Sequence, residues 1–304
     1  MAEQFSCADS ELQPCPIRLP MRLYMRFGKV APDEALNCNC APDPGAGSDI
    51  ASALKSTMNR WRADGLNLAT GRVDYEQLER SKVVEEYRPL AAALRDYDPG
   101  RLVSDEERKA FWINIYNVLL IHGVLAYRES RSLLKIRGAF ERIAYVIGSR
   151  RYSLDDIEHG VLRGNRAHFL IPGVRFSRRD PRRKHTLAQV DPRIHFALVC
   201  GACSCPPIGI YQAAHLDHQL DLAQTNFINN GGVDLNRDEK SIALSRIFQW
   251  YSPDFGGNWM GLGSRTPVLR YIAKVLGDEE REYVLAHADR LRVGYQHYDW
   301  ALNV

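Results

Sequence analysis

The chain lacks the features that most quickly assign a protein to a class. No unbroken stretch approaches the roughly 18 apolar residues of a membrane-spanning helix, and no apolar segment follows a basic one near residue 1, so we expect neither a membrane protein nor a secretory leader. No repeat, heptad run or low-complexity tract occurs. The 40 basic and 37 acidic residues leave a net charge of +3. With no basic motif interleaved with aromatics, nucleic acid is not an expected partner.

Cysteine is sparse and unevenly placed. Seven cysteines, an odd number in 304 residues, are not typical of a disulfide framework, and we expect a reduced, cytoplasmic protein. Common structural zinc sites use paired C-x2-4-C motifs. Only Cys200 and Cys203 have that spacing, because a single residue separates Cys38 from Cys40. We therefore expect no metal and no other cofactor.

The order of local patterns predicts two parts. Residues 1–48 carry several prolines and the loop-forming stretch APDPGAGSD at 41–49. This indicates an irregular N-terminal arm, with Asp49 as the N-cap of the next helix. Residues 49–304 are predicted to form one domain. Helical patterns come first and short strands mixed with helices follow, which indicates an α+β fold: a helix-rich single domain with a small, mainly antiparallel sheet.

The clearest helix is predicted over residues 104–126. Ser104 and Glu107 match an S-x-x-E capping box, a pattern typical of a helix N-terminus. The apolar face that follows is broad enough to predict a central helix that packs on several sides.

Shorter elements are predicted further along the chain. A two-strand element is indicated at 141–147 and 152–154, with Gly148-Ser149 at its turn. A helix over 154–163 follows. The basic segment 175–184, RFSRRDPRRK, indicates either a solvated loop or a site that attracts an anionic ligand.

The most informative stretch is DPRIHFALVCGACSCPP at 191–207. Its apolar part predicts a strand over 193–200, and the proline pair that closes it predicts a helix from Ile208 onward. Cys205 would then lie at a helix N-terminus, where unpaired N–H groups and the helix dipole favour a thiolate.

His195 is the nearest candidate base in the sequence. Residues two apart on a strand share a face, so Asp191, Arg193 and His195 would project together. Such a group could orient a base, and it could equally be a structural ion pair beside a hydrogen-bonded histidine. Both interpretations stay open on the sequence alone.

Five ordered blocks resemble a single family: AFWINIYN (110–117), YSLDDIEHGVLR (152–163), DPRIHFALVCGACSCPP (191–207), LSRIFQWYSPDF (244–255) and YQHYDWALN (295–303). The chain is similar to the domain of unknown function 547 over roughly residues 70–303. Some relatives join this domain to glutaredoxin-like domains, which gives thiol chemistry associational support. The resemblance also implies a distant likeness to papain-like and transglutaminase-like cysteine enzymes, whose core is a helix packed on a small antiparallel sheet.

The central helix departs from the pattern of those cysteine enzymes, in which the nucleophilic cysteine opens that helix. Here the predicted central helix carries Asn114 and Asn117 and no cysteine. Either the elements are permuted, with Cys205 as the nucleophile, or the ancestral chemistry is lost.

Residue types and the family resemblance together give a set of candidate site residues. Cys205 is the candidate nucleophile, His195 or His159 the base, and Asn117 or Asp191 the group that orients the base. Backbone N–H groups around 203–208 would bind an oxyanion. Each residue also has a structural interpretation, such as a buried thiol in a tight turn or an amide that orders nearby loops. The candidate substrate-binding residues are Glu158, Arg163, Arg193 and Ser204.

These observations predict a cysteine–histidine enzyme acting on a small molecule that bears a thiol or an amide. Acyl transfer, amide hydrolysis and thiol exchange stay open as the reaction. The alternative is a non-catalytic protein-interaction or ligand-binding module that retains an enzyme-like fold. The sequence indicates no particular protein partner and no contact with a membrane.

Overall fold

The computed structural model of the chain describes residues 5–7, 12–42, 50–67 and 72–304. The predicted N-cap Asp49 lies outside these residues. Two π-helical segments, Asp156–Leu162 and Ile228–Gly232, and several short 3-10 turns occur between the regular elements. The helices are α1 Leu19–Gly28, α2 Ile50–Gly65, α3 Tyr75–Arg80, α4 Lys82–Ala93, α5 Asp105–Tyr127, α6 Ala139–Arg142, α7 Leu216–Phe227, α8 Arg246–Trp250, α9 Thr266–Ala273 and α10 Asp278–His287. The strands are β1 Leu66–Asn67, β2 Arg72–Val73, β3 Ala144–Ile147, β4 Arg150–Ser153, β5 Val233–Asn236, β6 Ser241–Leu244 and β7 Arg292–Tyr295.

The strands form three small sheets. β1 pairs with β2 and β3 pairs with β4, both antiparallel. The third sheet has the order β5-β6-β7, antiparallel between β5 and β6 and parallel between β6 and β7. The predicted α+β class is therefore confirmed, with the strands divided among three sheets. The likeness to papain and transglutaminase stays a prediction.

The hairpin β3–β4 confirms the predicted two-strand element. Ala144 lies opposite Ser153 and Ile147 opposite Arg150. The connecting residues Gly148 and Ser149 have φ values of 56° and 62°. Two consecutive positive φ values are what a type I′ turn needs, and this turn matches the twist of the strands it joins.

Helix α5 forms the centre of the fold. Ser104 Oγ accepts the N–H of Glu107 at 3.0 Å, and the Glu107 carboxylate accepts the N–H of Ser104 at 3.1 Å, so the predicted capping box is present. Residues 110–124 are buried on every side of the helix. By length and composition α5 could cross a membrane, but 83% of its most apolar window is buried within the protein, which is typical of a core helix.

The buried apolar side chains form two large clusters. The first surrounds α2, α4 and α5, and the second is built from β5–β7 and α8–α10. Both clusters contribute to the walls of one cavity: Tyr116 and Leu198 come from the first, and Ile247 and Tyr298 from the second.

The segment predicted as an irregular N-terminal arm contains a regular element, because α1 lies within it. Arg142 Nη1 binds the buried carboxylate of Glu34 at 3.0 Å. The amide of Asn37 donates to carbonyl oxygens of α4 and β3 at 2.8 and 2.9 Å. These contacts fasten the arm to the rest of the fold. The division of the chain at residue 48 stays a prediction.

One cysteine pair departs from the expectation of a reduced chain. Cys7 and Cys38 form a disulfide whose Cα atoms are 5.3 Å apart, a spacing usual for such bonds. The other five cysteines are free. The odd number of cysteines therefore did not exclude a single disulfide bond between two residues of the first 40.

The predicted strand over 193–200 is wrong. Asp191 accepts the N–H of Arg193 at 3.1 Å, and Pro192 occupies the position after this cap. A capping aspartate followed by proline favours a helical turn, since proline's fixed φ is helical and its missing N–H is not needed there. The chain accordingly forms a 3-10 turn, Pro192–Phe196.

The helix predicted over residues 208–227 is present only in its second part, and its predicted start at Ile208 is wrong. Asn114 on α5 donates to the carbonyl oxygen of Tyr211 at 2.7 Å and accepts its N–H at 2.9 Å. A buried amide bound in this way replaces a neighbouring strand and holds the chain out of a helix. Helix α7 begins only at Leu216.

Two arginines of the basic segment 175–184 are buried. Arg175 Nε binds Asp156 at 2.7 Å, and Arg182 Nη1 binds the same carboxylate at 2.9 Å. Arg182 also binds Asp180 at 2.8 Å. Both interpretations of the basic segment, a solvated loop and a site for an anionic ligand, are therefore wrong for these two arginines, because carboxylates of the fold already neutralise their charges.

Gly160 provides a test of the packing around the π-helix Asp156–Leu162. A Cβ at this position would overlap the buried ring of Phe176. We expect Gly160→Ala to lower the free energy of unfolding by about 1–3 kcal/mol through overpacking, measured by urea denaturation. Gly294→Ala is the matched control, because nothing lies within 4 Å of a Cβ there. Equal effects of the two substitutions would contradict the described packing.

Candidate active site

A small cavity lies where the two hydrophobic clusters meet. Its volume is about 80 Å³. Since a water molecule occupies about 30 Å³ in the liquid, the cavity holds a few atoms rather than a whole substrate. Its polar lining comes from distant parts of the sequence. The polar residues are Tyr116, Asp155, Glu158, His159, His168, His195, Cys200, Cys205 and Tyr298, and the aromatic walls include Phe169, Trp250, Tyr251 and Trp300.

Cys205 lines this cavity from a loop rather than from a helix N-terminus. Its Sγ accepts the backbone N–H of Cys200 at 2.8 Å and lies 3.3 Å from the hydroxyl of Tyr298. Burial acts to raise the pKa of the thiol. Hydrogen bonds from the side chains of Cys200 and Tyr298, and from the backbone N–H groups of Cys200 and Ala202, outweigh it and bring the pKa of Cys205 below its ordinary value. The loop thus supplies the donors that a helix was predicted to supply.

Cys200 is the partner of this thiol. Its Sγ lies 3.1 Å from the hydroxyl of Tyr298. The hydrogen bond to the Cys205 side chain, together with burial, raises the pKa of Cys200 well above its ordinary value. One cysteine of the pair is therefore held as the proton donor and the other as the acceptor.

The C-terminal segment brings Tyr298 to the two thiols. Ser204 Oγ accepts the N–H of Asp299 at 2.8 Å. Gly201, with a φ of 72°, allows the turn that follows Cys200, because this region favours glycine. Ser204 was predicted to bind substrate. The structure gives it a positioning contact instead, which fixes the segment that carries Tyr298.

His195 reaches the cavity from the 3-10 turn Pro192–Phe196. Its Nε2 lies 2.8 Å from Oδ2 of Asp254, and the ring of Tyr251 stacks on the imidazole with centroids 4.0 Å apart. An ionised carboxylate only accepts, so Nε2 carries the proton and Nδ1 of the neutral ring is left to act as a base. Among the described residues, no hydrogen bond joins Cys205 to an imidazole.

The residues predicted to orient the base lie elsewhere. Asp191 caps the 3-10 turn and binds Arg193, whose guanidinium also binds two carboxylates of α7. Arg193 is thus occupied by these ion pairs and does not line the cavity, and its role in binding substrate stays a prediction. Asn117 donates to the carbonyl oxygen of Ala197 at 3.0 Å and accepts the N–H of Val199 at 3.1 Å. It orders the chain that follows the imidazole and makes no hydrogen bond to it.

Asp254, rather than Asn117 or Asp191, is the residue that hydrogen-bonds the imidazole of His195. Its Oδ2 accepts Arg163 Nε and its Oδ1 accepts Arg166 Nη1, both at 2.6 Å. Burial acts to raise the pKa of Asp254, but hydrogen bonds and charge from His195 and Arg163 hold it well below the ordinary value. Arg163, predicted to bind substrate, is used to hold this anion. The block LSRIFQWYSPDF contains Asp254, yet nothing in that block identifies an imidazole 59 residues away as its partner.

His159 is unsuited to act as the base because its accepting nitrogen is occupied. Arg163 Nη1 donates to Nδ1 of His159 at 2.7 Å. A guanidinium cannot accept a hydrogen bond, so Nε2 of the neutral ring carries the proton. Burial and the charge of Arg163 lower the pKa of His159 well below its ordinary value. Of the two candidate bases, the geometry therefore favours His195.

Glu158 is the predicted substrate-binding residue that does line the cavity. Its Oε2 accepts the hydroxyl of Tyr116 at 3.3 Å. Tyr251 also hydrogen-bonds this carboxylate. Glu158 therefore offers a fixed acceptor to any N–H group that enters.

Asp155, His159 and His168 are close enough together to be tested as a metal site, with potential ligand atoms within 4.8 Å of one another. His168 Nδ1 accepts the N–H of Leu170 at 3.0 Å, and Nδ1 of His159 accepts from Arg163. Both rings then carry their proton on Nε2 and offer no free lone pair to a cation. The donor set does not fit a metal ion.

Comparisons with known proteins agree with the sequence blocks for part of the chain. No curated protein and no solved structure matches it. One family model matches residues 101–228, a segment that does not include the site residues Asp254 and Tyr298. Residues 101–228 match the family model described as "Protein of unknown function, DUF547", the family that the sequence blocks resemble.

Proposed function

We propose that this protein is a cysteine enzyme in which Cys205 is the nucleophile and His195 transfers protons while Asp254 orients the imidazole. One observation carries the proposal: a single cavity is lined both by a sulfur with three kinds of hydrogen-bond donor and by an imidazole paired with a buried carboxylate. Nucleophile, base and orienting group form the arrangement that covalent catalysis needs.

The reaction that fits these residues is acyl transfer or amide hydrolysis. His195 takes a proton from solvent on Nδ1 and is then the imidazolium. The Cys205 thiolate attacks the carbonyl carbon, and the leaving nitrogen takes that Nδ1 proton, which leaves His195 neutral. Water then attacks the thioester, His195 accepts the proton of that water, and the acid and the thiolate are released. Because the Cys205 thiolate is stabilised by Cys200 and Tyr298, it does not need a histidine to remove its proton.

The chemistry of the cavity supports a small substrate group with an N–H. A space of about 80 Å³ accepts only the reacting end of a molecule. Glu158 offers an acceptor beside the thiols, and the aromatic walls favour a flat group such as an amide. These features of the cavity support a small amide-bearing substrate.

Thiol exchange is a second candidate, favoured by the contact between Cys200 and Cys205. The Cys205 thiolate would attack a small disulfide to give a mixed disulfide and release one thiolate. The Cys200 thiol would then attack Cys205 Sγ, lose its proton to solvent and release the second thiol. The product would be an internal Cys200–Cys205 disulfide.

The activation of Cys205 is tested by the pH dependence of iodoacetamide labelling on native protein, mapped by peptide mass spectrometry. Only a thiolate reacts, so the lowered pKa predicts that Cys205 reaches its maximal rate at a lower pH than Cys203. Cys203 is an internal control. It is exposed to the reagent, yet its pKa is raised, because its Sγ is partly desolvated and lies near the negative charge of Asp299. Tyr298→Phe removes one donor and should move the Cys205 profile to higher pH.

Labelling of Cys205 only after unfolding, or only at a pH above that for Cys203, would contradict the proposal. The non-catalytic module would then be the better interpretation.

The second reaction is tested by incubating the protein with the small disulfide cystamine and analysing peptides without reduction. Exchange predicts an internal disulfide in the native sequence, a stable mixed disulfide on Cys205 in Cys200→Ser, and neither product at this site in Cys205→Ser. Serine is the matched substitution because it keeps the size of the side chain. Identical mixed-disulfide levels with and without Cys200 would exclude a resolving role for Cys200 and leave acyl chemistry as the better candidate.

A further inference from the structure

Helix α1 exposes an apolar stripe that no described residue covers. The side chains of Leu19, Leu23 and Phe27 are 68%, 47% and 74% exposed. Their spacing of four residues places them along one side of the helix. Met21 and Met25 on the opposite side are buried. Because the inner face is anchored, the stripe is held facing away from the protein.

Positive charge runs alongside this stripe. Arg22, Arg26 and Lys29 are exposed, and no ion pair among the described residues involves them. Residues 12–32 contain four basic residues and no acidic one. Arg137 adds a further cation at the end of the helix, where its Nε binds the carbonyl oxygen of Phe27 at 2.8 Å.

We propose that α1 is a docking surface for the face of an anionic lipid bilayer. Leu19, Leu23 and Phe27 would enter the region below the headgroups, and Arg22, Arg26 and Lys29 would contact lipid phosphates. An exposed helix face with leucine and phenylalanine on one side and arginine and lysine beside them is the pattern of a helix that lies in the membrane interface.

The charge pattern decides between the possible occupants of the stripe. A second copy of the chain would bring another α1 with the same four cations, and like charges would oppose close approach. A bilayer with acidic headgroups complements both halves of the exposed face. The proposal concerns contact with a membrane surface. The sequence-based expectation of no membrane contact rested on the absence of a spanning segment.

The test uses the full chain in co-sedimentation with vesicles of phosphatidylcholine alone or mixed with phosphatidylglycerol. We expect binding to the mixed vesicles, weakened by salt. Leu23→Gln/Phe27→Gln should abolish it, and Arg22→Gln/Arg26→Gln should weaken it by about tenfold or more, given the usual contribution of a basic residue near an anionic surface. Leu222→Gln/Leu285→Gln is the matched control, because these leucines are similarly exposed, at 55% and 50%, on α7 and α10.

Four results would overturn the proposal. One is no binding to the mixed vesicles. Another is equal binding to both kinds of vesicle, and a third is equal loss in the α1 and control variants. The fourth is a concentration-dependent dimer in sedimentation velocity that the apolar α1 variant abolishes, which would identify a second copy of the chain as the occupant. Thermal unfolding of each variant, followed by circular dichroism, shows that binding is compared between folded proteins.

Discussion

The buried carboxylate of Asp254 holds the walls of the candidate site together. It accepts hydrogen bonds from Arg163, Arg166 and His195, and these partners come from separate stretches of chain. A buried anion is costly unless it is paired, so the π-helix region, the 3-10 turn with the imidazole and the turn with Asp254 have to meet. The same pairing determines which nitrogen of the neutral His195 ring carries the proton.

The opposite side of the cavity depends on neutral donors rather than on charge. Cys205 receives the N–H of Cys200 and the hydroxyl of Tyr298, and no basic side chain hydrogen-bonds it among the described residues. Hydrogen bonds, rather than a neighbouring lysine or arginine, thus stabilise the negative charge of this thiolate. The site therefore combines an activated sulfur with an imidazole whose proton chemistry is separately controlled, and this division of labour underlies the proposed acyl transfer.

Sequence reasoning succeeded where the signals were local. The capping box of Ser104 and Glu107 and the turn at Gly148-Ser149 each lie within a few residues, and both predictions are confirmed. It failed where a distant group competes with local preference. A buried amide on α5 holds Tyr211 out of the predicted helix. The strand over 193–200 failed for a local reason, because the signal of a capping Asp191 followed by Pro192 was not used.

In the candidate site, too, the predictions from local signals held better than those that depend on distant residues. Cys205 and His195 were predicted as a pair, and both line one cavity. Their partners were not predicted, because Asp254 is 59 residues from His195 and Tyr298 is 93 residues from Cys205. Ser204, Arg193 and Asn117 are polar groups whose positions suggested chemistry, yet their hydrogen bonds go to structural partners.

The most direct test is the tautomer of His195, read from nitrogen NMR on protein labelled at its nine histidines, with His195→Gln used to assign the signal. If Asp254 orients the imidazole, the neutral ring carries its proton on Nε2 and has none on Nδ1. A neutral ring protonated on Nδ1 would contradict the pairing with Asp254, and with it the role of His195 as the base.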